Sequence, residues 1–170
     1  MNPAFVGDSY DLVKRFFTKE LILLGYEVAI DPLYTGDWNG MEEKFVQLVG
    51  VNTHQMEPDE FSRRALFLDP DTGVNHKGGK QHVAFERIAH ETRAYDLVFA
   101  FDQSFSRQAN SREAMLAKLD QLQNFGIQGM YYDSHARFLF ASKRSDELKA
   151  LREHLVQLGM PASRMLLSSK

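Results

Sequence analysis

The chain has 170 residues, of which 44% are hydrophobic, and carries a formal net charge of −3. This length supports one α/β domain over residues 1–170 and is short for two, and the acidic balance excludes a global positive field that would recruit nucleic acid. The sequence has no cysteine, which excludes disulfides and thiolate sites, and it has no run of eighteen apolar residues. We therefore expect a cytoplasmic protein that makes no membrane contact.

The first half of the chain alternates between helical and extended hydrophobic periods. In chain order the pattern predicts a helix over 9–24, a strand over 26–30, a short helix within the poorly patterned segment 32–64, a strand over 65–68 and a helix over 81–93. The first helix follows a Ser or Asp cap and ends at Gly25, a residue that favours the left-handed backbone found after helices.

The second half repeats this alternation. It predicts a strand over 96–101, a helix over 111–126, strands over 127–132 and 137–142 joined as a hairpin, and a last helix over 146–159. Strands that alternate with helices of this length are typical of a three-layer, mostly parallel, Rossmann-like sheet. The hairpin adds an antiparallel strand near the C-terminal end.

Aspartates follow several of the predicted strands. Asp31, Asp69 with Asp71, and Asp102 come at the ends of the strands 26–30, 65–68 and 96–101. In open α/β sheets the carboxyl ends of parallel strands meet at one edge, where ligands bind. Carboxylates gathered there repel one another unless a cation compensates, and oxygen ligands suit Mg²⁺ or Mn²⁺. Aspartate is also common in turns and helix caps, so each one taken singly could be a turn former, and only the set of them favours a cation.

The stretch ALFLDPDTGVNHKGGKQH passes from a buried strand into a basic, glycine-rich segment. Pro70 ends the hydrogen-bond ladder of the strand, and Gly73 supplies a backbone angle that other residues resist. The cations predicted near this edge are His76, Lys77, Lys80, His82, Arg107, His135 and Arg137. We expect them to bind phosphate oxygens, with the Gly-Gly pair closing the segment over the ligand, although an exposed turn would have the same composition.

Short motifs along most of the chain resemble a family of uncharacterised bacterial and phage-associated proteins. These motifs are VGDSYDLVKRFF, LYTGDWNG, FLDPDTG and DLVFAFDQSFSR. The matching positions are Gly7, Asp8, Asp11, Lys14, Asp69, Asp71, Gly73 and Arg107. The resemblance implies ligand contacts for Asp8, Lys14, Gly73 and Arg107. Asp102-Gln103 departs from the aromatic or histidine pair that this family more often has there.

From residue 65 onward, the order of elements is also similar to that of class I S-adenosylmethionine methyltransferases. LDPDTG resembles their DPP[YF] motif, which holds a target amino group, so the similarity implies that Asp69 to Gly73 would hold a substrate base. The segment AIDPLYTGDWNG places a proline where those enzymes need a glycine-rich turn. A methyltransferase-like protein would therefore be a degenerate one, since a shared fold does not carry the activity.

Three functions are left open by the sequence. The first is a metal-dependent phosphodiesterase or nuclease in which Asp69, Asp71 and Asp102, with Asp31 as a further ligand, hold Mg²⁺ or Mn²⁺. In that reading Lys80 is catalytic and Arg107 binds the phosphate. The alternatives are a degenerate methyltransferase-like protein that binds S-adenosylmethionine, and a non-enzymatic interaction module of phage-related origin.

Overall fold

The computed structural model describes residues 2–51, 62–105 and 110–168. The helices in these ranges are α1 (Ser9–Leu23), α2 (Glu42–Val49), α3 (Phe85–Glu91), α4 (Ser111–Gln123) and α5 (Ser145–Gln157). The strands are β1 (Tyr26–Asp31), β2 (Arg63–Leu68), β3 (Gly73–Asn75), β4 (His82–Ala84), β5 (Leu97–Phe101), β6 (Gln128–Tyr132), β7 (Phe138–Ser142) and β8 (Met165–Leu167). Short 3-10 turns cover Pro3–Phe5 and Ala162–Arg164.

Six strands form one mixed sheet in the order β1-β2-β5-β7-β6-β8. β1, β2 and β5 pair in parallel, whereas β7 runs antiparallel to both β5 and β6, and β8 runs antiparallel to β6. The α/β, Rossmann-like class predicted from the sequence is confirmed. The antiparallel part is larger than predicted because β8, a three-residue strand at the edge, has too short an apolar run to be recognised.

The sheet separates two hydrophobic layers, as the alternation of side chains along β5 illustrates. Leu97, Phe99 and Phe101 face the layer that contains α1, α2 and α5. Val98 and Ala100 face the layer that contains α3 and α4. All five residues of β5 are buried, which explains the uninterrupted apolar run in the sequence.

A small second sheet projects from the carboxyl edge of the main one. β3 pairs in parallel with β4, so that Val74 lies opposite Val83, and both valines are buried. The predicted helix over 81–93 is therefore wrong in its first turn. Residues 82–84 are extended because they pair with β3, and α3 begins only at Phe85.

Candidate functional site

Asp31 is the last residue of β1, whereas Asp69 and Asp102 directly follow β2 and β5. The predicted gathering of strand-end aspartates at one sheet edge is therefore seen, since these strands are parallel. Each carboxylate, however, contacts a different side chain, and these contacts limit which ligands the edge can bind.

Asp69 is fully buried and forms an ion pair with a lysine from α1. Its Oδ2 lies 2.9 Å from Lys14 Nζ, and the same Nζ lies 2.9 Å from Asp11 Oδ1. The Lys14 ammonium also faces the rings of Phe45 and Phe101, at 5.4 and 4.9 Å from their centroids. A cation is thus enclosed between two carboxylates and two aromatic rings, which compensates its loss of water.

The segment GDSYDLVK builds this ion pair from local rules. Asp8 caps α1 by accepting hydrogen bonds from Tyr10 N at 2.8 Å and Asp11 N at 3.1 Å. Asp11 and Lys14 then share the inward face of the helix at a spacing of three residues. Asp8 and Lys14 were predicted to contact substrate, but the contacts observed for them are those of a helix cap and a core ion pair.

Burial and mutual attraction together shift the pKa values of Asp69 and Lys14. Removal from water raises the pKa of Asp69 to about 6, and the attraction of Lys14 opposes that rise. Burial by itself lowers the pKa of Lys14, but the charges and hydrogen bonds of Asp69 and Asp11 together raise it above its usual value. We therefore expect Lys14 to stay charged and Asp69 to titrate near pH 6.

The raised pKa predicts a pH dependence of stability that Asp69→Asn removes. A carboxyl whose pKa is higher in the folded state contributes stability that is fully present below its unfolded value of 3.8 and is lost as pH rises to about 6. Relative to Asp69→Asn, the wild-type free energy of unfolding should therefore fall between pH 4 and 6, by on the order of 2 to 3 kcal/mol. Urea unfolding of both proteins across this range measures the difference, and parallel pH profiles would contradict it.

Asp102 is the second fully buried carboxylate, and it accepts hydrogen bonds from four other residues. Its Oδ1 accepts from Val74 N at 3.2 Å and from Ser104 Oγ at 2.6 Å. Its Oδ2 accepts from Lys118 Nζ and from the Tyr131 hydroxyl, each at 2.7 Å. One carboxylate thereby joins β3, α4 and β6 to the end of β5.

Lys118 and Tyr131 were not predicted to belong to this edge. Burial lowers the pKa of Lys118 against the opposing attraction of Asp102, and burial together with Asp102 raises the pKa of Tyr131 well above its usual value. Lys118 could have been found from the sequence, because it stands beside Leu119 and three residues after Met115 on the inward part of α4. A lysine in that position needs a buried partner.

The carboxylates of Asp31 and Asp71 accept hydrogen bonds from the loop that follows β1. The Asp31 carboxylate accepts hydrogen bonds from the Arg87 guanidinium and from Leu33 N, the latter at 3.1 Å. The Thr35 hydroxyl donates to Asp71. Leu33 has a φ of 47°, an unfavourable angle for leucine that costs about 1 to 3 kcal/mol.

The predicted metal ligands do not come together as a set. Within residues 2–51, 62–105 and 110–168, no three carboxylates or histidines lie close enough to hold an ion. Asp69 and Asp102 instead meet lysines, and Asp31 meets an arginine. The residues present do not fit a preassembled Mg²⁺ or Mn²⁺ site, and catalytic roles for Asp69, Asp71 and Asp102 stay predictions.

A cleft of about 810 Å³ lies between the loop after β1 and the turn before β4. We call it the carboxyl-edge cleft. It is lined by Leu33, Tyr34, Thr35, Gly36, Gly79, Lys80, Gln81 and His82. The predicted ligand-binding residues Lys80 and His82 therefore share one cavity with Tyr34, an aromatic residue that was not predicted to belong to the site.

The remaining predicted site residues lie elsewhere. Lys77 is exposed and does not line the carboxyl-edge cleft, and its amide donates to Asn75 Oδ1 within the turn. His135 Nε2 lies 2.8 Å from the Tyr10 hydroxyl, and the two rings stack. Gly73 packs directly against Asp102. Arg107 lies outside the described residues.

Comparisons with protein-family models, curated proteins and solved structures found no match for this chain. The motif resemblances described above therefore stay predictions. In the part of the chain that the structure describes, none of the helices has the length and apolar character needed to cross a membrane.

Proposed function

We propose that the protein binds a nucleotide in the carboxyl-edge cleft. The observation that carries this proposal is the meeting of an exposed aromatic ring, Tyr34, with the basic residues Lys80 and His82 in one cavity. The cleft begins two residues after β1, at the carboxyl edge, where open α/β sheets bind their ligands. Its volume of about 810 Å³ lies in the range of small-molecule sites.

The phosphate groups would be held by the turn before β4. Lys80 is exposed and supplies a point charge, while the imidazole of His82 can donate a hydrogen bond in either charge state. Gly79 has a φ of 136°, an angle that side chains resist, and a Cβ built there meets no atom within 4 Å. The backbone is therefore open to a phosphate oxygen at this point.

The base would stack on Tyr34. This ring is 40% exposed and packs against Trp38, which is 3% exposed, with the ring centroids 4.4 Å apart. The Trp38 indole in turn donates to Thr35 O at 3.2 Å, within the same loop. A tyrosine supported in this way offers a fixed platform, and stacking of one base contributes about 1 to 3 kcal/mol.

Calorimetric titration with ADP, with and without Mg²⁺, tests this proposal. We expect Lys80→Ala and Tyr34→Ala each to weaken ADP binding by about tenfold, since each removes on the order of 1.4 kcal/mol or more. Lys77→Ala is the matched control, because it removes the same charge from the same turn outside the cleft. Equal affinity in all three variants, or no ADP binding by the wild type, would contradict the proposal.

S-adenosylmethionine is a second candidate ligand, and a specific feature of the sheet favours it. The closing hairpin places the reversed strand β7 between β5 and β6, in keeping with the methyltransferase-like order of elements. Asp69, which would hold the target amino group, is instead buried against Lys14, so we restrict this candidate to ligand binding. Titration with S-adenosylmethionine in place of ADP distinguishes the two ligands.

Metal-dependent hydrolysis of phosphodiesters stays a prediction. It requires aspartates to leave their present partners when Mg²⁺ or Mn²⁺ binds. Titration of the metal alone, followed by thermal unfolding of the wild type and Asp69→Asn, tests for that. If neither ADP nor S-adenosylmethionine binds, that result would favour the non-enzymatic interaction module.

A further inference from the structure

A second cleft, of about 470 Å³, lies at the edge of the sheet opposite the strand-end aspartates. Its walls come from α3, from the turn between α4 and β6, and from the residue after β7. The residues that matter for its chemistry are Glu86, His90, Arg93, Phe125, Ile127 and Lys143. We call it the amino-edge cleft, because Ile127 directly precedes β6 and β7 runs in the reverse direction.

Two cations, Arg93 and Lys143, line the amino-edge cleft together with the carboxylate of Glu86. Arg93 and Lys143 are both exposed, and neither forms an ion pair among the residues that the structure describes. This distinguishes them from Lys14, Arg87 and Lys118, each of which meets a carboxylate. Two unpaired cations that border one cavity favour an anionic ligand, and arginine in particular matches the oxygens of a phosphate.

An aromatic ring stands beside these cations. Phe125 is 44% exposed in the turn after α4, whereas Ile127 is 1% exposed and forms an apolar floor. Exposure of a phenyl ring to water costs free energy that a flat ligand can recover by covering it. The amino-edge cleft thus combines an apolar surface for a ring with a cationic surface for an anion.

We propose that the amino-edge cleft is a binding site for an aromatic phosphate monoester of the size of a nucleoside monophosphate. Arg93 and Lys143 bind the phosphate, and Phe125 stacks on the ring. Glu86 lies at the cleft as an acceptor for an amino or hydroxyl group of the ligand. This site is separate from the carboxyl-edge cleft and does not depend on the function proposed for it.

AMP is titrated into the Tyr34→Ala/Lys80→Ala variant, in which the carboxyl-edge cleft has lost its aromatic ring and its lysine. AMP binding that remains then reports on the amino-edge cleft. Adding Arg93→Ala and Lys143→Ala should weaken AMP binding at least tenfold and should weaken binding of inorganic phosphate as well. Phe125→Ala should weaken AMP binding about fivefold and leave the affinity for inorganic phosphate unchanged, because that probe has no ring to stack.

Two exposed residues away from the cleft supply matched controls. Lys149→Ala removes a charge from the surface of α5, and Phe5→Ala removes a ring that is 60% exposed, so neither should change AMP affinity. Retention of AMP affinity in the Arg93→Ala/Lys143→Ala variant would overturn the proposal. An equal loss of affinity for AMP and inorganic phosphate in Phe125→Ala would overturn the stacking role.

Discussion

Lys14→Met is expected to destabilise the protein by about 3 to 5 kcal/mol, because it leaves two buried carboxylates without their cation. Asp11 and Asp69 are both 0% exposed, and Lys14 Nζ contacts each of them at 2.9 Å. Methionine fills nearly the same volume, so the loss reports on charge more than on packing. Urea unfolding at neutral pH measures it.

Lys19→Met supplies the control, since Lys19 lies exposed on the same helix and should tolerate the change within about 0.5 kcal/mol. Adding Asp69→Asn to Lys14→Met should restore part of the lost stability, because it removes one of the two buried acids that must otherwise stay ionised or take up a proton with no cation beside it. An unchanged free energy of unfolding in Lys14→Met would contradict the claim that this ion pair stabilises the fold.

Gly73→Ala should also be strongly destabilising, because there is no room for a side chain at this position. A Cβ on Gly73 would lie 2.9 Å from Asp102 Cα and nearer still to its Oδ1. Asp102 cannot retreat without releasing Ser104, Lys118 and Tyr131. We expect a loss of about 3 kcal/mol or more, as for other substitutions that disrupt a buried polar network.

Gly79→Ala separates this steric effect from backbone strain. Gly79 has the same φ of 136°, but a Cβ there meets nothing within 4 Å. Gly79→Ala should therefore show only the cost of the unfavourable angle, about 1 to 3 kcal/mol. Thermal unfolding of the two variants gives the comparison, and equal losses would show that contact with Asp102 contributes nothing.

The elements and the sheet edge could be predicted because they depend on local patterns. The apolar run Leu97–Phe101 indicates a strand buried on both faces, and aspartates at the ends of β1, β2 and β5 mark one edge. The two-stranded sheet of β3 and β4 was missed because three-residue strands carry almost no periodic signal.

The pairings of the aspartates could not be predicted, because they join residues far apart in the chain. Lys14 and Asp69 are separated by 55 positions, and Asp102 and Tyr131 by 29. Each aspartate was compatible with a metal, a turn or a cationic side chain. For Asp69 and Asp102, only the packing of α1 and α4 against the sheet brings a lysine to the carboxylate. For Gly73, the sequence indicated the unusual backbone angle but not the close approach to Asp102.

The distance in sequence between Lys14 and Asp69 has a consequence for how the chain acquires its structure. During synthesis α1 leaves the ribosome well before β2, so Lys14 can pair with Asp11 before Asp69 has been made. If that lysine were buried before Asp69 is in place, its charge would have one buried carboxylate beside it and not two. Docking of α1 on the sheet is therefore coupled to the pairing of β1 with β2, and the N-terminal helix joins the core together with a strand made 40 residues after the helix ends.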